Sequence, residues 1–212
     1  MTRIVNNCVA LVCLCLFWGQ SLRAADASHS EQIKWGNESV FNEEHNTLGL
    51  FSGVLGGQIV LAGGTSDDYS RWGRNAVCLS ENAGFALYED VLSKPLAYGA
   101  SITLSDGILC IGGRDSSQCY EDVFFVTMQQ GKLNVSEDWP PLPFPLSNAA
   151  GALLDNKVYL FGGRKSVSPS RLSDSFFVLD LSNKSRGWKE LPGYPGCVRE
   201  DAILVVQNNG VS

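Results

Sequence analysis

The sequence contains no run of basic residues. Sixteen Lys and Arg stand against 22 Asp and Glu, the formal net charge is −6, and five like charges never occur in succession. A phosphate-backbone partner requires clustered Lys and Arg, so nucleic acid is not an expected ligand. Histidine is scarce: His29 and His45 are the two in the chain, and both precede the first repeat described below, which makes them poor candidates for catalysis. None of the seven cysteines falls in a C-x-x-C pair, so no metal site is expected from their spacing. No segment reads as a helix. The longest uncharged apolar run, Cys8 to Trp18, is about 11 residues, too short to span a ~30 Å hydrocarbon core.

That short run has another reading. Arg3 precedes it, and Leu22-Arg23-Ala24 or Ala25-Asp26-Ala27 follows with small residues, the layout of a cleaved secretory signal. Residues 1–27 are expected to be removed on export to a periplasmic or extracellular compartment, leaving no membrane attachment. Cys8, Cys13 and Cys15 would leave with them; Cys78, Cys110, Cys119 and Cys197 would remain. Cys110 and Cys119 flank one loop and could pair in an oxidising compartment, with buried free thiols as the simpler reading.

What the chain does have is internal repetition. Three apolar runs end in a glycine pair: QIVLAGG at Gly63-Gly64, ILCIGG at Gly112-Gly113 and KVYLFGG at Gly162-Gly163, at steps of 49 and 50 residues. Before each lies a strand of small residues (LFSGVL, AYGASITL, NAAGALL), joined through Gly56-Gly57, Ser105-Asp106-Gly107 and Asp155-Asn156-Lys157, residues that tolerate the positive φ of hairpin turns. After the second and third pairs come loops and then DVFFVTM and SFFVLDL, strands apolar enough to be buried on both faces. Asn75–Ser80 and Phe85–Tyr88 are the weaker counterparts in the first unit. An outer strand carrying Trp139 or Trp188 closes the second and third units, the Trp filling the wedge between neighbours rather than stacking on sugar. Four antiparallel strands in about 50 residues is the sequence signature of a propeller blade. The glycines suit crowding near the axis, where a residue without Cβ lets backbones approach.

The expected organisation is a signal peptide (1–27), a linker with an orphan outer strand at Ile33-Lys34-Trp35 (28–47) and an incomplete all-β propeller (48–212). Its blades cover about 48–94, 95–144 and 145–194, with the start of a fourth at 195–212. Pro195 to Val206 repeats the inner-strand position and Gln207-Asn208-Asn209-Gly210 the hairpin turn. Such an arc is about three and a half blades of a six-bladed parent, with open edges where a protein partner could dock.

The segments PLAYGASITLSDGILCIGGRDSSQCYEDVF, WPPLPFPLSNAAGALL and KVYLFGG resemble Kelch repeats. More specifically they are similar to the cyclically permuted N-acetylneuraminate mutarotase (epimerase) family, over about Leu48 to Val206 and most specifically between Pro95 and Gly163. The resemblance implies a six-bladed Kelch propeller, exported, that interconverts the anomers of a free sugar acid without metal or organic cofactor. Family members are thought to use a glutamate directly after one glycine pair as proton acceptor. Here Thr65, Arg114 and Arg164 follow the pairs, so the catalytic carboxylate would lie outside these repeats or be lost. The loop TSDDYSRWGR after Gly64 also departs from the family pattern.

Anomer exchange needs a base for the anomeric hydroxyl and an acid for the ring oxygen, and a sugar acid calls for a guanidinium fork. Gly49, Tyr98 and Asn148 each lie 14 residues before the first glycine of a pair. Aligning Pro95 and Pro145 with Pro195 puts Arg199 in the same row. These residue types vary on a uniform scaffold, as a grafted site would. Arg199 is the first choice for the substrate carboxylate, with Tyr98 and Asn148 on sugar hydroxyls. Arg114 and Arg164 are second choices. Glu200 and Asp201 are weak acid/base candidates, one of which is expected to face away from the channel. Three readings follow: a sugar-acid mutarotase present as a fragment, a non-catalytic Kelch module binding carbohydrate or protein, or an inactive remnant.

Overall fold

A computed structural model describes residues 48–80, 84–193, 195–207 and 210–211. The expected signal peptide, the linker with Ile33–Trp35, and both histidines lie outside the described residues.

The chain forms three four-stranded antiparallel sheets, each built from consecutive segments. The first takes β1 (Phe51–Leu55), β2 (Gln58–Ala62), β3 (Ala76–Ser80) and β4 (Gly84–Tyr88); the second takes β5 (Ala100–Thr103), β6 (Ile108–Ile111), β7 (Val123–Gln129) and β8 (Lys132–Ser136). In the third sheet β9 (Ala150–Leu154) and β10 (Lys157–Phe161) are followed by a small hairpin, β11 (Arg164–Ser166) and β12 (Arg171–Leu172), before β13 (Phe176–Asp180) and β14 (Lys189–Leu191) complete the blade. β15 (Val206–Gln207) and β16 (Gly210–Val211) pair as the hairpin of a fourth unit. The described residues are a partial β-propeller.

The turns carry the expected chemistry. Asp155 and Asn156 both have positive φ (47° and 60°), as do Gly56 and Gly57, the geometry whose twist matches the flanking strands of a hairpin. Two local features were not anticipated. The hairpin β11–β12 occupies the loop after Gly163. Leu181–Arg186 forms a 3-10 segment instead of a tight turn between β13 and β14, begun by Asp180, whose carboxylate accepts from the Ser182 N–H at 2.9 Å.

Alternation along the strands builds two cores, one between each pair of neighbouring blades. Val60, Phe51, Ile108, Cys110 and Phe124 share the first; Leu109, Ile111, Phe125, Val158, Leu160 and Phe177 share the second. β6 and the first half of β7 are therefore buried on both faces, which explains their unbroken apolar runs. The inner strands also meet directly: Ser52 N–H donates to Ser101 Oγ (3.1 Å) and Val54 N–H to Thr103 Oγ1 (3.2 Å).

The glycine pairs seal these contacts. Gly63, Gly112 and Gly162 have φ of 62–70°, and a Cβ on each would meet the backbone carbonyl oxygen of Leu96, Leu146 and Arg199 respectively, in the following unit. The second glycine of each pair donates its N–H to that same oxygen, at 2.9, 2.8 and 2.8 Å. Sequence placed Trp139 and Trp188 on outer strands; both lie outside them, after β8 and before β14. Their packing is nonetheless between blades. Trp139 lies against Phe125 (centroids 5.2 Å apart) under the Lys184 ammonium (4.0 Å), and Trp188 Nε1–H donates to Pro140 O at 3.0 Å. All four described cysteines are free thiols, Cys110 and Cys119 included.

Candidate functional site

Successive units are stitched at one end of the inner strands by a second row of backbone bonds. Tyr98 N–H donates to Gly49 O (2.7 Å), Asn148 N–H to Tyr98 O (2.7 Å) and Asp201 N–H to Asn148 O (3.0 Å). All four residues are left-handed, with φ of 64°, 60°, 55° and 54°. The row is therefore Gly49, Tyr98, Asn148 and Asp201, not Arg199. Arg199 takes the position of Leu96 and Leu146, offering its carbonyl to Gly163, while its exposed side chain places Nε 3.4 Å from Cys197 O. The alignment slipped because Asp201 lies six positions after Pro195, whereas Tyr98 and Asn148 lie three after Pro95 and Pro145.

Beside this row are the residues that follow the glycine pairs. Thr65, Arg114 and Arg164 bridge to Leu48, Ala97 and Ser147, each immediately before a row residue. Two arginines thus stand at equivalent positions with different surroundings. Arg164 is held in a fork by Glu200: Nε to Oε2 at 2.7 Å and Nη2 to Oε1 at 2.6 Å. That pairing raises the Arg164 pKa and holds the Glu200 carboxyl below its ordinary value, so Glu200 is ionised and a weak base. At Arg114 the residue equivalent to Glu200 is Ser147, buried, its Oγ 3.4 Å from Cys119 Sγ. Arg114 Nε is buried with no hydrogen-bond partner.

Aromatic rings surround the Arg114 guanidinium. Its Cζ lies 4.6 Å from the Tyr98 centroid, 5.1 Å from Trp72 and 6.0 Å from Tyr69. Gly49 makes room for this, since a Cβ there would strike the Tyr98 ring at 2.8 Å. Burial, a 3.4 Å hydrogen bond to Tyr69 Oη and the neighbouring Tyr69 push the Tyr98 phenol far above its usual pKa, with the Asp201 charge adding to the rise and Arg114 opposing it. Tyr98 therefore serves as a proton donor in hydrogen bonds. Asn148 gives Nδ2–H to Asp201 Oδ1 at 2.8 Å, and its own Oδ1 is buried without a partner.

Glu200 and Asp201 both turn onto site residues, against the expectation that one would face away. In an extended strand adjacent side chains point to opposite faces; the left-handed backbone at Asp201 breaks that alternation. Structure thus brings together Tyr98, Asn148, Arg114, Arg164, Glu200 and Asp201, and leaves Arg199 to one side. Sequence reasoning missed Tyr69 and Trp72. Their signal was the pair of aromatics in TSDDYSRWGR, a loop otherwise made of small and charged residues. Among the described residues no group of three or more His, Cys, Asp or Glu could hold a metal ion.

A Kelch motif matches residues 145–192. The N-acetylneuraminate epimerase of Vibrio cholerae serotype O1 is 31% identical over 90 residues, which cover 42% of this chain and 22% of that protein. The N-acetylneuraminate epimerase of Yersinia pestis (strain Pestoides F) is 32% identical over 71 residues, 34% of this chain and 16% of that one. A Kelch domain-containing protein of Vibrio cholerae is 33% identical over 70 residues, 33% and 18% of the two chains. The matched stretches therefore span about a fifth of these relatives' length. The solved structure of YjhT superposes with a TM-score of 0.62 at 12% identity, covering 77% of this chain and 60% of its own. Blades, glycine pairs and the Kelch match agree: the chain is a partial Kelch propeller, similar over part of its length to N-acetylneuraminate epimerases.

Proposed function

We propose that this chain belongs to an exported sugar-acid mutarotase and binds an N-acetylneuraminate-type acid at the row end of its inner strands. The observation that carries this is the gathering of two guanidiniums, two carboxylates, an amide and a protonated phenol at that end. The partial similarity to N-acetylneuraminate epimerases supplies the substrate class.

The chemistry divides among these groups. Guanidinium N–H groups match a carboxylate, and Tyr98 and Asn148 match hydroxyls and the N-acyl group. Proton transfer to and from the anomeric hydroxyl falls to Asp201, whose Oδ1 accepts from Asn148 Nδ2–H at 2.8 Å. Glu200, locked by Arg164 on both oxygens, holds charge in place instead.

NMR exchange spectroscopy of N-acetylneuraminate with the full chain tests this. The expected result is faster exchange between the α and β anomers than in buffer alone, with Asp201→Asn lowering the catalysed rate by about a hundredfold or more, the lower end of what a positioned acid or base contributes. No acceleration would reject the mutarotase reading. Sugar-acid binding without acceleration would favour a second reading, a non-catalytic Kelch module, which the absence of Glu at Thr65, Arg114 and Arg164 supports.

A further inference from the structure

The repeat places arginine at two of three equivalent positions, and only one of the two has its guanidinium satisfied. Arg164 and Arg114 both follow a glycine pair and both bridge to the residue preceding a row member. Arg164 presents Nε and Nη2 to the two oxygens of Glu200, at 2.7 and 2.6 Å. The corresponding residue beside Arg114 is Ser147, whose hydroxyl faces Cys119 instead. Arg114 makes one long contact, Nη1 to Asp115 O at 3.4 Å, and its Nε is buried without a partner. A buried unpaired donor on a charged group is costly, so its persistence at the row end of the inner strands, among polar groups, points to a ligand.

The blade 1 loop shapes what surrounds that donor. Thr65 Oγ1–H donates to Arg71 O at 2.7 Å, Ser66 and Asp68 tie the loop internally, and Trp72 Nε1–H donates to Tyr69 O at 3.1 Å. The ties hold Tyr69 and Trp72 against Tyr98, with ring centroids 6.5 and 6.3 Å away. Tyr69 is 50% exposed. The three rings lie about the guanidinium, 4.6 to 6.0 Å from its Cζ, a cation–π setting that holds the charge in place, with the exposed Tyr69 ring as an apolar surface alongside.

We infer that Arg114 is the guanidinium that takes the ligand carboxylate, and that Tyr69 and Trp72 form the wall against which the ligand's ring packs. The ligand class is a carboxylate carried on a ring with an apolar face. This rests on the sugar-acid reading above and assigns its anchor: Arg164 is committed to Glu200, and the loop that departs from the family pattern becomes part of the site.

The test compares N-acetylneuraminate with its methyl ester, read by calorimetry and by tryptophan fluorescence on the full chain. A charge-assisted contact predicts a roughly ten- to hundredfold preference for the acid over the ester in the unaltered protein. Arg114→Gln should bring that preference close to unity and Arg114→Lys should leave part of it. Trp72→Phe should remove the ligand-dependent fluorescence change, and Tyr69→Ala should weaken both ligands alike. Far-UV circular dichroism selects the variants that keep the fold, and the acid-versus-ester comparison in the unaltered chain needs no variant. Acid preference kept in Arg114→Gln but lost in Arg164→Gln would overturn this assignment and leave the sugar-acid reading standing, as would equal binding of acid and ester by the unaltered chain. Binding of D-glucuronate but not N-acetylneuraminate, abolished by Arg114→Gln, would support the anchor and reject the N-acetylneuraminate class. If neither acid binds, both readings are overturned.

Discussion

At the scale of single residues, the loop after the second glycine pair is organised by one carboxylate. Asp115 accepts from Ser117 N–H (2.7 Å), Gln118 N–H (2.9 Å), Ser117 Oγ–H (2.8 Å) and Tyr120 Oη–H (2.5 Å). Partial burial alone would raise its pKa, but the bonds from Tyr120, Ser117 and Gln118 prevail and bring it to about 2. The folded value lies below the ordinary 3.8, so the loop's stabilisation is present above about pH 4 and is lost as pH falls toward 2. The amide resonances of Ser117 and Gln118 should titrate with a midpoint near 2, and Asp115→Asn should abolish that titration; a midpoint near 4 would show that these bonds do not form. None of this was legible beforehand, because the sequence shows an aspartate two residues before Ser117 and not which groups converge on it. Tyr98 and Asn148 were legible as row members from their constant distance to the glycine pairs. Asp201 was displaced from the row by the longer path after Pro195, and Tyr69 and Trp72 belong to a loop that the other units do not repeat.

At the scale of elements, the glycine pair joins a strand to the next blade. The expectation of close backbone approach holds, and the structure adds a reason the sequence could not show: the first glycine is left-handed. Gly112→Ala would therefore combine strained backbone with a clash against the Leu146 carbonyl. It should destabilise the fold by about 2–4 kcal/mol, toward the severe end for a point substitution, measured by urea unfolding. Ala at Gly131, where an added Cβ meets nothing, should cost only about 1–2 kcal/mol, the ordinary penalty of a positive φ. Strand positions were readable because period-2 patterns and turn residues are local. The hairpin β11–β12 and the 3-10 segment at Leu181–Arg186 replaced simpler connections without changing the strands around them, which is why they escaped.

At the scale of the whole molecule, cohesion resides between sheets. Leu109 is fully buried between the second and third blades, whereas Leu87 on β4 is 46% exposed. Leu109→Ala should lower stability by about 2–5 kcal/mol, and Leu87→Ala by about 0.5 kcal/mol or less. Thermal melts of the two variants distinguish a shared interior from three independent sheets, which would give two small and similar shifts. The fold was open to sequence reading because fifty-residue periodicity is a global signal; the site was open only in part, because a site lives in the departures from a repeat.

The left-handed row has a consequence for how such a mouth can diversify. A backbone bent that way accepts glycine, asparagine and aspartate readily and other side chains at a cost, so its chemical vocabulary is short, and Tyr98 is its exception. New specificity on this scaffold would have to be written at the neighbouring positions, where Thr65 already departs from Arg114 and Arg164 while the stitch itself runs through backbone groups.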